Sequence, residues 1–310
     1  MDESREAKGK IVRVERRAGL SHIEREADGT AIGRWGPFTL RTAFQPIFAF
    51  HEGKLRVEAF EALVRPFRNG EPETPPAFFA TCNASDRLQV EELTRTLHLL
   101  NAGVCLPEGV MLFINIDPSV FTEQDIGDTT LRNMRLVLSS VGIAPARVVC
   151  EVTENPTGSQ EAFYSFVTGL RGNGFRIAVD DYGADESDIS RIKDLMPDIV
   201  KFDAVWINRL MESDVGFALL ATMVRSFEEQ GIRTVFEGIE EDWQIELAEK
   251  SGASMVQGFV LARPVMASPE MKGAGTPPPE PEPEEQLKPA APRSGPQHPP
   301  GRTFGRRVVR

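Results

Sequence analysis

Eight polar residues interrupt otherwise apolar stretches of this 310-residue chain: Glu61, Asn115, Glu151, Asp180, Asp181, Lys201, Glu237 and Gln257. Each falls at or near the C-terminal side of a short run rich in β-branched or aromatic residues, such as VMLFINI before Asp117 and FRIAVD ending at Asp180. Taken singly, each has an ordinary explanation. A glutamate at a strand end is usually solvated, Lys201 could pair with Asp203, and Gln257 could cap a loop. Taken together on one rim, the carboxylates would repel one another and raise their pKa values unless a cation sat among them. Oxygen ligands from carboxylates and an amide suit Mg2+ or Mn2+. None of the four histidines, at 22, 51, 98 and 298, joins the set, so a histidine-based zinc or iron site is not expected. Cations held by acids imply a substrate whose negative charge they neutralise, and a phosphodiester fits. Two metals about 4 Å apart can hold a shared hydroxide for in-line attack. The adjacent Asp180 and Asp181 can supply a bridging carboxylate, and Lys201 a charge that orients or deprotonates the attacking water.

Such a rim needs strands to carry it. Strand candidates occur at 43–51, 55–64, 110–116, 147–153, 175–180, 197–203, 232–238 and 254–260. Several are apolar throughout, as strands covered on both faces are. Helical patterns fill the gaps: one long segment from PAFFATC to LLNA, then SQEAFYSFVTGLRGNG with Ser159 as its cap, SDISRIKDLM, VGFALLATMVRSFEEQG and DWQIELAEKSG. Eight strands alternating with helices predict a TIM-like (β/α)8 barrel, whose active sites form at the C-terminal ends of the strands. The first connection is the exception. FAFHEGKLRVEAF is too short for a crossover helix, so the first strand should run antiparallel to the rest.

Three regions follow: an N-terminal extension over 1–37, charged and irregular apart from a possible short strand at KIVRVERR; the barrel over 38–268; and a proline-rich tail over 269–310. The tail has too little apolar surface to offset chain ordering and is expected to be disordered, with its charged ends available to a protein partner. The balance of 35 Lys plus Arg against 46 Asp plus Glu, net −11, opposes a nonspecific grip on DNA or RNA. Cys82, Cys105 and Cys150 form no CxxC pair and read as reduced side chains. The first residues lack a signal-peptide core and no run of about 20 apolar residues occurs, so a cytoplasmic protein away from the membrane is expected.

In order and spacing, FQPI (44–47), EALVR (61–65), INID (114–117), CEVTE (150–154), VDDYG (179–183), VKFD (200–203), FEGIE (236–240) and VQGF (256–259) resemble the signatures of EAL domains, which hydrolyse cyclic di-GMP to linear pGpG. The resemblance spans about 38–267 and implies the same barrel with a reversed first strand. It implies two divalent cations, Mg2+ or Mn2+. Glu61, Asn115, Glu151 and Asp180 would bind one, with Asp180 bridging to a second held also by Asp181 and Glu237. Lys201 would contact the nucleophilic water, joined in the chemistry by Glu61 and Glu237. Gln45, Leu63, Arg65, Asn115, Asp181 and Gln257 would meet the substrate, Arg65 through a phosphate. Glu154 would steady the loop after the aspartate pair, and Glu240 would support the site from behind.

The chain departs from the family pattern after the aspartate pair, where DDFGTGYSSL is usual and DDYGADESDI stands at 180–189. That loop borders the second metal and the dimer contact in the family. Ser254 stands where an aspartate is common, which would remove a contact with substrate or with the groups behind it. The leading expectation is an active cyclic di-GMP phosphodiesterase that forms a homodimer. The alternative is a non-catalytic cyclic di-GMP receptor or protein-interaction module with an altered loop.

Overall fold

The computed structural model describes residues 22–152, 158–183 and 188–273. The segment KIVRVERR, the tail from 274 onward, Glu154 and residues 184–187 of the altered loop lie outside the described residues. The chain opens with β1 (Ile23–Arg25), β2 (Ala31–Trp35), β3 (Phe38–His51), β4 (Lys54–Arg68) and β5 (Glu71–Pro72). Helices α1 (Pro75–Ala80) and α2 (Arg87–Cys105) follow, then β6 (Met111–Ile116), α3 (Gln124–Val141), β7 (Val148–Val152) and α4 (Gln160–Gly172). The remainder is β8 (Arg176–Tyr182), α5 (Asp188–Leu195), β9 (Ile199–Phe202), α6 (Ala204–Met211), α7 (Asp214–Glu229), β10 (Arg233–Phe236), α8 (Asp242–Ser251), β11 (Met255–Val256) and β12 (Val265–Met266).

Eight of these strands close on themselves in the order β3, β11, β10, β9, β8, β7, β6, β4, with β4 returning to β3. From β4 through β11 the neighbours run parallel, while β3 is antiparallel to both β4 and β11. The cause lies in the connection. His51 and Lys54 are register partners across a two-residue turn in which Glu52 and Gly53 both take positive φ, 51° and 73°. Such a hairpin can join only antiparallel strands.

Side chains alternate across each strand, so one set fills the barrel and the other meets the helices. The inner set is Ile47, Ala49, Ala59, Met111, Phe113, Val149, Ala178, Ile199, Val235 and Met255, all buried and packed together as a plug. The outer set, including Leu112, Ile114, Cys150, Ile177 and Val179, packs under α2, α3 and α4. A second outer layer joins Val200, Phe202 and Phe236 to α6, α7 and α8. Helix boundaries follow local chemistry. Ser159 caps α4 by accepting from the Ala162 N–H at 3.3 Å, and Ser213 caps α7 by accepting from Gly216 at 3.1 Å.

Four features differ from the sequence reading. The region before residue 38 is not irregular throughout: β1 and β2 form a hairpin that pairs onto β3 and buries Ala31 and Ile32. Its turn is set at Asp28–Gly29, where Gly29 has φ 90° and Asp28 accepts from the Thr30 N–H at 2.9 Å. The long helical segment expected after Pro76 is two helices, because Thr74 caps α1 over a single short run and the chain turns again before Arg87. Helices α3 and α6 were not expected. In α3 the sequence QDIGDTTLRNMRLVLSSV dilutes a face made by Ile126, Met134, Val137 and Leu138 with Asp, Gly and Thr of weak helix propensity. Finally, only Met255–Val256 of the last candidate run forms a strand.

Candidate active site at the barrel mouth

The alternation that fills the barrel also builds its mouth. Two residues on from an inward apolar side chain, each strand presents one polar side chain on the same face: Ala59 leads to Glu61, Phe113 to Asn115, Val149 to Glu151, Ala178 to Asp180, Ile199 to Lys201, Val235 to Glu237 and Met255 to Gln257. Strand β3 runs the other way, so Ile47 leads back to Gln45, the register partner of Glu61. A polar ring thus lies directly above an apolar plug, at the strands' C-terminal ends.

Asp181 breaks this rule and has a local reason for doing so. Consecutive residues of a regular strand face opposite ways. Here the pairing of β8 with β9 shifts register between Val179 and Tyr182, and Asp181 takes φ 55°, a left-handed conformation that aspartate tolerates better than most residues. Oxygens of Asp180, Asp181 and Glu237 consequently lie within 4.8 Å of one another. Tyr182 turns outward among Phe202, Trp206 and Phe227, so it changes the wall and not the mouth. Gly183 follows at φ 104°, and a Cβ there would fall 2.5 Å from the Trp206 ring.

Lys201, 1% exposed, stands at the centre of the ring. Its Nζ is 2.5 Å from Glu151, 2.7 Å from Glu237, 3.1 Å from Asp180 and 3.8 Å from Glu61. Burial works to lower the ammonium's pKa, but Asp180, Glu151, Glu237 and Glu61 outweigh it and hold that pKa well above the ordinary lysine value. Burial pushes the Glu151 carboxyl well up, with Lys201 opposing and Glu61 and Asp180 reinforcing. Burial likewise drives Glu237 up to about 8, against Lys201 and with help from Asp180 and Glu61. Lys201 does not pair with Asp203, which instead caps α6 by accepting from the Trp206 N–H at 2.8 Å.

One ammonium among these carboxylates leaves negative charge uncompensated, and buried oxygens are left over. Glu151 Oε1 and Asp180 Oδ1 touch Lys201 at ion-pair distance without a directed hydrogen bond, while Glu151 Oε2 and Gln257 Oε1 have no hydrogen-bond partner. Buried polar atoms are rarely left so. An all-oxygen set with excess negative charge and spare acceptors fits a hard divalent cation.

The other expected residues divide. Gln257 donates to Glu61 Oε2 at 2.7 Å and so orders the ring. Gln45 donates to the Ala262 carbonyl at 3.2 Å, tying down the loop after β11. Leu63, Arg65 and Asn115 line a cavity beside the mouth, and Arg65 donates to the Val64 carbonyl at 2.9 Å. Burial lowers the Arg65 pKa, with Glu61 opposing. Glu240 is exposed; its backbone N–H donates to Gln244 Oε1 at 2.7 Å, and no described contact links its carboxylate to the ring. Ser254 lies at the start of β11, away from the mouth, with its hydroxyl donating to Glu228, so its identity bears on strand packing and not on substrate.

A family model for the EAL domain matches residues 38–264. The chain belongs to the EAL family. This EAL domain is 26% identical over 209 residues to the probable cyclic di-GMP phosphodiesterase PdeA of Escherichia coli, covering 66% of this chain and 28% of the relative. It is 26% identical over 200 residues to the cyclic di-GMP phosphodiesterase RocR of Pseudomonas aeruginosa, covering 62% and 49%. Among solved structures it resembles Klebsiella pneumoniae BlrP1 in a calcium and cyclic di-GMP complex, with 30% identity and a TM-score of 0.63 over 74% of this chain and 56% of that one. Bacillus subtilis YkuI, solved with cyclic di-GMP and calcium, gives 26% and 0.63 over 73% and 56%. The chain spans about half or less of the length of the curated relatives it matches.

Sequence reasoning passed over one group in this EAL domain. Arg87, Glu91 and Arg95 recur at four-residue steps on α2, a pattern that usually marks a solvated helix face. Here Glu91 and Arg95 are buried, and Asp117, quoted in INID without a role, accepts from Arg87 at 2.8 Å. The only signal was the apolar residues interleaved with them.

Proposed function

We propose that this EAL domain hydrolyses cyclic di-GMP to linear pGpG by attack of water on a phosphodiester. The reading is carried by one observation: carboxylates from separate strands converge on a single buried lysine, with three ligand oxygens within 4.8 Å. Relatives named as cyclic di-GMP phosphodiesterases and structures solved with cyclic di-GMP support the substrate. Glu61, Asn115, Glu151, Asp180, Asp181 and Glu237 are the residues to hold two divalent cations, Mg2+ or Mn2+. Such cations, when bound, supply a nucleophilic hydroxide at neutral pH and neutralise charge on the phosphoryl oxygens.

The chain's own groups do the rest. Lys201, fixed by four carboxylates, is a held cation that orients the attacking water and offsets negative charge developing on the phosphoryl group. Glu61 is fixed by Gln257, so its free oxygen keeps one direction. Glu237 adjoins both Lys201 and the aspartate pair, placed to pass a proton to or from the reacting oxygens. Leu63 and Arg65 border the cavity into which the substrate extends, Arg65 facing a phosphate. Glu154 is assigned to steadying the loop after the aspartate pair on the family resemblance alone.

In this reading the protein acts in the cytoplasm, with the barrel as its catalytic domain and the proline-rich segment as a tail open to a partner. Among the described residues no helix is long and apolar enough to cross a membrane. Homodimerisation is carried by family resemblance, and sedimentation velocity showing a concentration-independent monomer would remove it. The function itself is tested by incubating the purified chain with cyclic di-GMP and Mg2+ or Mn2+. Linear pGpG is the expected product. Tight nucleotide binding with no pGpG under either metal replaces the enzyme reading with a receptor.

A further inference from the structure

The cavity beside the mouth, about 230 Å³ in volume, is bounded by the end of β4, by α1 and α2, and by the residues after β6. Three arginines line it, Arg65, Arg87 and Arg95, against two acids, Glu91 and Asp117. The charges are unequally spent. Arg87 lies 3.1 Å from Glu91 and 2.8 Å from Asp117, with its guanidinium 4.4 Å over the Phe79 ring, so both acids are committed to it. Glu92, the other acid of this turn, accepts from Asn133 at 3.5 Å. Arg65 spends one donor on the Val64 carbonyl.

Arg95 is different. It is 4% exposed, and neither Nη1 nor Nη2 has a hydrogen-bond partner. A buried cation with two unused donors is expensive unless an anion meets it. Glu91 and Glu92 act on its charge only through space, and the planar fork of a guanidinium, with both donors unused, matches two oxygens of a phosphate or carboxylate. The cavity holds room for several waters at about 30 Å³ each, enough for such a group. Asn115 belongs both to the polar ring and to this lining, and the Glu61 charge of the ring acts on Arg65, so the cavity adjoins the acid ring.

We propose that this cavity is an oxyanion subsite, with Arg95 as its buried receptor and a phosphate-type group as its ligand. Arg95 acts on binding and selection and does not touch the reacting atoms. The ligand has two sources of one chemistry: the phosphodiester of a bound cyclic dinucleotide that is not being cleaved, or a free phosphate. Only the first rests on the phosphodiesterase reading.

The test uses the full chain as wild type, Arg95→Lys and Arg95→Met, with inorganic phosphate and cyclic di-GMP as separate probes. Thermal unfolding with and without phosphate is the first arm. Wild type is expected to be stabilised by phosphate and Arg95→Met not, each measured against the same protein without phosphate. Steady-state turnover of cyclic di-GMP is the second arm, with KM expected to rise about 10- to 100-fold in Arg95→Met while kcat changes far less, and with partial recovery in Arg95→Lys. Loss of phosphate stabilisation with unchanged KM assigns the subsite to a free anion. An equal phosphate effect in wild type and Arg95→Met, or none in wild type together with an unchanged KM, overturns the proposal. If wild type yields no pGpG, the hydrolytic reading has failed and the phosphate arm still decides the subsite.

Discussion

Replacing Lys201 by methionine removes the one ammonium that four carboxylates share while keeping most of the side chain's volume. Glu151 is fully buried and Lys201 is 1% exposed, so solvent cannot move in to screen the acids left behind. Breaking a buried ion pair by deleting one partner costs about 3–5 kcal/mol. In a domain of this size each kcal/mol shifts Tm by about 2–4 °C, so metal-free Lys201→Met should melt about 6–20 °C below wild type. Divalent cations are expected to restore part of that loss, because they replace the missing positive charge. At about 100 times its dissociation constant a cation returns roughly 2.7 kcal/mol. Calorimetric melting in chelator and in excess Mg2+ or Mn2+ reads both quantities. The reasoning is refuted if Lys201→Met melts within about 2 °C of wild type in chelator, or if saturating metal stabilises it no more than it stabilises Glu151→Gln.

Three further outcomes follow from the same geometry. Glu61→Ala should lower pGpG formation more than about 100-fold at equal metal, since even groups behind a metal ligand are worth 10- to 100-fold, and a retained rate would remove Glu61 from the ring. Gly258→Ala would drive a Cβ to 1.9 Å from the Ile239 carbonyl oxygen and 2.3 Å from its nitrogen. Both atoms are backbone, so a loss above about 3 kcal/mol in denaturant unfolding is expected, together with displaced Gln257 and impaired turnover. His98 is buried and hydrogen-bonded to Thr42 at 2.9 Å, and burial first, then Arg65 and Arg95, lowers its pKa to about 3 from 6.5. Its folded pKa lies below the unfolded one, so it favours the fold above pH 6.5 and that contribution is lost as pH falls from about 6.5 toward 3. Between pH 7 and 5 wild type should lose about 2 kcal/mol more stability than His98→Gln, and parallel pH curves would contradict this.

The barrel and its polar ring were legible because apolar runs alternate with helical patterns and most carry a polar residue at or near their C-terminal side. Apolar residues at one parity and a polar residue two steps on recur in every strand, and the short turn at Glu52–Gly53 reverses the first. What stayed hidden depended on local backbone geometry or on distant partners. No sequence rule puts consecutive Asp180 and Asp181 on one face; the register shift and the left-handed φ at Asp181 do that. The hairpin before Phe38 carried a legible Asp28–Gly29 turn, but β1 is only three residues long and gave no strand period. Arg95 and Glu91 went unremarked because charge spacing on a helix does not reveal what covers it. Ser254 looked close to the mouth in sequence, yet one strand's length separates it from Gln257.

The account turns on acids from separate strands holding divalent cations at one mouth. The most direct measurement is anomalous diffraction from a crystal of the full chain soaked in Mn2+. Peaks bounded by Asp180, Asp181 and Glu237 are the predicted result. Manganese bound only elsewhere would contradict it.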